Sequence, residues 1–211
     1  MGFSVNWVAI KGATADEACA AMGFERTGEF ANDPTHKELV GCELPNGMYL
    51  VQADGRGPFT AFSETYAERQ ALPNEAIHFM CYDTVMMTTM GCVADGERRW
   101  SIMRYESGEP FELEGEIPAE YHRLLAQAKE KQATAGDEVD YLYDVTAQLG
   151  FHLTGYQHDR VQEDIRFEVL RALPSSPYAP VAAPGRTGSA RHSSKPLPWP
   201  GTGGRPWWKF W

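Results

Sequence analysis

No acidic side chain follows Glu168, and that absence divides the 211-residue chain into two unlike parts. Residues 172–211 carry Arg186, Arg191, Lys195, Arg205 and Lys209, together with 8 of the 14 prolines and 4 of the 6 tryptophans. Their aliphatic side chains larger than Ala are Leu173, Val181 and Leu197. A stretch so poor in aliphatics buries too little surface to offset an ordering cost of roughly 1–2 kcal/mol per residue. The chain therefore reads as an acidic globular domain over 1–171, a Pro/Gly/Ser-rich linker over 172–198 and a Trp-rich basic motif over 199–211. A flexible stretch of about 40 residues spans about 35 Å, enough to reach back to its own domain or out to a partner.

The first part holds all 29 acidic residues of a chain whose net charge is −10. That balance argues against nucleic acid as a partner. Hydrophobic residues make up 43%, enough for a packed core. The apolar runs are broken by charges before the ~18 residues that a membrane span requires. The opening Met1–Gly12 lacks the basic region, apolar core and small-residue cleavage site of a leader. Cys19, Cys42, Cys81 and Cys92 share no C-x-x-C spacing. Free thiols in the cytoplasm are the expectation.

Local patterns predict α+β: an antiparallel meander sheet with a few packed helices and a Pro/Gly-rich C-terminal tail. Val5, Trp7 and Ala9 open a strand. Thr14 and Glu17 form a capping box for a short helix that Gly23 stops. Pro45-Asn46-Gly47 predicts a hairpin between Leu39 and Val51, with both central residues tolerating positive φ. Ile77–Tyr82 predicts a strand beside a meander of Val85–Val93, Arg99–Tyr105 and Phe111–Leu113, turning at Asp95-Gly96 and Ser107-Gly108. Pro118 suits the first turn of a helix carrying Tyr121, Leu124, Leu125 and Ala128 and ending at Gly136. Asp144 reads as the N-cap of a second helix that Gly155 ends, and Val161–Leu170 as a last strand.

The chain contains no G-x-S-x-G elbow, phosphate loop or dinucleotide fingerprint. The glycine-rich pieces Asp54–Gly57 and Gly201–Gly204 precede no helix start, so they read as loop and linker. His78 and Cys81 sit three apart on a strand, which places them on opposite faces and defeats a Cys–His hydrogen bond. His152 and His158 lack metal-ligand spacing and read as surface histidines; no metal or other cofactor is expected. Glu112, Glu114 and Glu116 alternate along one strand and so share a face. Asp137, Glu138, Asp140 and Asp144 form an acidic loop without a calcium-binding register. These clusters, Glu112, Glu114, Glu116, Asp137, Glu138 and Asp140 above all, make an acidic surface that steers a basic partner.

The terminus is the most informative feature. Arg205, Trp207, Trp208, Lys209, Phe210 and Trp211 crowd the last seven positions, with Trp199 just upstream. Aromatic rings of this size, with Arg, dominate interface hot spots. Three destinations compete: a pocket on another protein, the bilayer interface, and the chain's own acidic domain. Exposed rings also favour self-association.

Ser4–Gly12, Phe24–Glu29 and Val139–Asp144 resemble segments of a family of small acidic bacterial hypothetical proteins, mainly over the first 50 residues. The resemblance implies a cytoplasmic protein, brings no catalytic residue, and by analogy points to immunity proteins that neutralise a toxin. The expected function is non-catalytic protein binding, of the immunity or adaptor kind, through the acidic surface and the aromatic terminus. A hydrolase-like enzyme built from scattered Glu/Asp, His and Cys is the alternative, and membrane tethering through the Trp cluster a second one.

Overall fold

The computed structural model describes residues 4–179 except 32, 35–36, 106–110, 136–138 and 161–162. Its centre is a nine-stranded, wholly antiparallel sheet of order β2-β9-β3-β4-β1-β5-β6-β7-β8. The strands are β1 (Ser4–Lys11), β2 (Phe24–Ala31), β3 (Leu39–Glu43), β4 (Met48–Asp54), β5 (Ala76–Tyr82), β6 (Met87–Ala94), β7 (Glu97–Arg104), β8 (Phe111–Gly115) and β9 (Phe167–Ala172). Helices α1 (Ala15–Met22) and α2 (Phe62–Arg69) belong to one face, α3 (Ala119–Ala135) and α4 (Asp144–Thr154) to the other. The predicted α+β class and meander are what the molecule shows. Among the described residues no helix is long and apolar enough to cross a membrane.

Two cores follow from burying a sheet on both sides. Strand β1 sits at the middle and is apolar on both faces, so its alternation separates the two cores instead of core from solvent. Trp7 points toward α3 and α4, stacking on Phe79 at 5.2 Å and meeting Tyr156 edge-on at 6.0 Å. Val8 and Ile10 point toward α1 and α2. The buried Asn6 on β1 donates to the Phe59 carbonyl at 3.2 Å and accepts from the Ser63 amide at 3.0 Å. It thereby satisfies an orphan donor in the first turn of α2, whose own flanking Ala61 supplies no side-chain cap.

Local signals behave unevenly. The capping box at Thr14 and Glu17 forms as expected, and Gly23 ends α1 in the left-handed region. Asp95 and Gly96 adopt φ of 54° and 80°, as a two-residue hairpin demands. At Pro45-Asn46-Gly47 only Gly47 has positive φ. The Gly47 amide donates to Leu44 O and the Leu44 amide to Met48 O, giving a three-residue loop that suits Pro45 better. Val85 lies in a 3-10 turn (Asp83–Val85) ahead of β6. Asp144 begins α4 but does not cap it; the carboxylate of Asp140 accepts the amides of Leu142 and Tyr143 at 3.1 and 3.2 Å in the turn that precedes the helix. The predicted last strand begins later, at Phe167, and inserts between β2 and β3.

Residues 172–179, assigned by composition to the linker, pack against the domain. The Leu173 amide donates to Gly23 O, Ser176 Oγ donates to Met22 O at 2.6 Å, and Tyr178 is buried among Phe24, Phe62 and Tyr66. An average over forty residues hides one aromatic anchor that buries on the order of 200 Å². The turn at Ser107-Gly108, the helix stop at Gly136 and everything from 180 onward lie outside the described residues.

Candidate functional site

Among the described residues strand β8 forms one margin of the sheet, with β7 as its sole strand neighbour. Its sequence, FELEG, alternates across the two faces. Glu112 and Glu114 lie opposite Met103 and Ser101 on the α1/α2 side, and both carboxylates are exposed. Glu114 accepts from Ser101 Oγ at 3.3 Å and from Arg98 at 3.5 Å. Glu112 has no ion pair among the described residues. On the other face Phe111 meets Tyr121 of α3 edge-on at 5.7 Å, and Leu113 remains 42% exposed. The alternation stops at Gly115, where φ is +74° and a Cβ would fall 2.1 Å from the Arg99 carbonyl. Glu116 therefore lies past the end of the strand, and the three-carboxylate stripe reduces to two.

Asp140 also departs from the expected acidic surface. It forms a 2.6 Å ion pair with Arg104, which is completely buried at the end of β7 with its guanidinium over the rings of Phe111 and Tyr143 at 5.7 and 5.8 Å. Its charge is neutralised within the fold. Asp137, Glu138, Trp199, Arg205, Trp207, Trp208, Lys209, Phe210 and Trp211 lie outside the described residues.

The catalytic alternative meets a different arrangement from the one foreseen. His78 and Cys81 do face opposite sides of β5, but Cys81 Sγ lies 3.5 Å from His158 Nε2. His158 is thus no surface histidine: the 156–160 turn after α4 folds it down onto Phe79, with ring centroids 5.4 Å apart. Sequence spacing could not reveal this contact between positions 77 residues apart. Nearby, Tyr143 donates to Asp83 at 2.7 Å.

Electrostatics keep both members neutral. Burial first, then the charge of Asp83, pushes the Cys81 thiol well above its ordinary range. Burial lowers the His158 imidazole, opposed by Asp159 and Asp83. A reactive thiolate needs the opposite setting, an electropositive and partly exposed site. The hollow beside His158, walled by Ser4, Val5, Gln52, Asp54 and Arg56, measures about 20 Å³, room for a single water. A wider trough of about 370 Å³ opens between Ala67 of α2 and the β7–β8 margin, lined by Arg98, Arg99, Trp100 and Glu114.

The remaining titratable clusters are structural in their contacts. His152 is exposed on α4, 3.4 Å from Glu120. The buried carboxylate of Glu168 takes Arg26 at 2.7 Å and the Gly28 amide at 2.9 Å, tying β2 to β9. Among the described residues no group of three or more His, Cys, Asp or Glu side chains is placed to hold a metal ion. No protein-family model, no curated protein and no solved structure matches this chain.

Proposed function

We propose that this chain is a cytoplasmic protein-binding protein of the immunity or adaptor kind, whose acidic sheet margin meets a basic surface on its partner. The observation that carries the reading is the pair Glu112 and Glu114, exposed side by side on a strand that, among the described residues, has a neighbour on one flank alone. Carboxylates at such a rim steer encounter and set partner choice more than they add affinity. The motif formed by Trp199 and Arg205–Trp211 supplies a second contact, its rings seated in a pocket of the partner.

Affinity capture with the full chain tests this, run beside E112K/E114K and beside W207A/W208A/F210A/W211A at low and moderate salt. The reversed carboxylates should abolish a salt-sensitive partner or slow its association about tenfold. The ring variant should shorten the lifetime of the same complex. Unchanged partner sets and unchanged kinetics in both variants would refute the proposal.

A further inference from the structure

We propose that β8 accepts an extended segment of a basic partner as an added antiparallel or parallel strand, cationic on the Glu112/Glu114 face and apolar on the Leu113 face. This rests on the protein-binding reading and names the chemistry of what binds.

Among the described residues both ends of the sheet are edges, and they differ. At β2 the register with β9 shifts between Arg26 and Phe30, Gly28 has φ of +71°, and the Arg26 guanidinium is held by Asp16 and Glu168. Bulges of this kind twist an edge away from further pairing. Strand β8 pairs with β7 in unbroken register from Arg104↔Phe111 to Trp100↔Gly115. Among the described residues no strand pairs with its outer flank, whose backbone donors and acceptors are a template for strand addition.

The side chains decide the occupant. A second copy of β8 laid antiparallel about Leu113 would set Glu112 against Glu114 twice, and like charges directly opposite are destabilising. A strand with Lys or Arg at alternate positions sets cations against those carboxylates instead. The intervening positions fall on the opposite face, beside the half-exposed Phe111 and the 42% exposed Leu113, where apolar side chains extend the cover given by Tyr121. The period-2 alternation of β8 is thus read as a complementary alternation in the partner.

The test uses the full chain and three short peptides: lysine alternating with valine, the same composition with the lysines in one block, and glutamate alternating with valine. Amide hydrogen exchange across 111–115 is the readout. The alternating lysine peptide should slow exchange there at least about fivefold, and E112K/E114K should remove that protection. Equal protection by the block peptide, or protection elsewhere with none in β8, overturns the inference. Loss of the natural partner from E112K/E114K without protection by the alternating peptide would sink strand addition and leave protein binding standing. Protection of β8 beside an undisturbed partner complex would do the reverse.

Discussion

Replacing Arg104 with Ala removes a guanidinium that is wholly inaccessible to water. The losses include the 2.6 Å ion pair with Asp140, the stacking over Phe111 and that over Tyr143. Truncating one member of a buried pair costs about 3–5 kcal/mol, because the survivor keeps its charge without its partner. Asp140 retains 23% of its side-chain exposure, so water relieves part of that penalty and the lower end, about 3 kcal/mol, is expected. For a domain of this size each kcal/mol moves the melting temperature by about 2–4 °C, which places the drop at roughly 6–12 °C. Thermal melts read that drop, and urea unfolding followed by far-ultraviolet dichroism and tryptophan emission measures the free-energy cost, with R104A, D140A and the double variant closing a cycle. The two single losses should exceed the double loss by at least about 1 kcal/mol. A cost for R104A below about 1 kcal/mol, or a cycle additive within about 0.3–0.5 kcal/mol, would refute the reasoning that the buried Arg104–Asp140 pair stabilises the fold.

Two further outcomes test the core. G91A should destabilise by about 1–3 kcal/mol, since its Cβ would lie 2.4 Å from His78 Nε2 and 2.9 Å from the Trp100 carbonyl; a thermal melt that matches the parent would exclude that packing. Burial, with a smaller contribution from Arg98, lowers His78 to about 4, so between about 6.5 and 4 the unfolded chain binds a proton that the folded one refuses. Stability on this account is full above pH 6.5 and falls as pH drops toward 4, by roughly 3 kcal/mol at about 1.4 kcal/mol per tenfold. In H78L the decline should be shallower by about that amount, leaving the share of His158, which is displaced in the same direction; parallel urea midpoints for parent and variant from pH 7 to 4.5 would discard the idea.

What the sequence made legible is the part whose cause is local. The capping box at Thr14, the Asp95-Gly96 turn and the glycine stops at 23 and 155 each depend on a few neighbouring residues. Helix α2 was not foreseen, because its cap comes from Asn6, 57 residues upstream of Ser63. Strand β2 was missed for a similar reason: its exposed run Glu25–Phe30 becomes a strand only against β9. At the candidate site, the alternation of Glu112 with Leu113 and Glu114 was visible in advance. The break at Gly115 was not, since it depends on the close approach of Arg99. Asp140 read as solvated charge because nothing nearby announces the buried Arg104, 36 residues away. Cys81 and His158 illustrate the same limit, with the periodicity argument against His78 correct and silent about the histidine that does arrive.

The insertion of β9 between β2 and β3 has a consequence for biosynthesis. Strand β2 leaves the ribosome early, yet among the described residues the strand it pairs with is made about 140 residues later. That side of the sheet must wait, unzipped, until the six-residue β9 arrives and fastens β2 to β3. A nascent chain arrested before Phe167 would expose both seams to chaperones and proteases, and translation pausing near that point would set how long the exposure lasts.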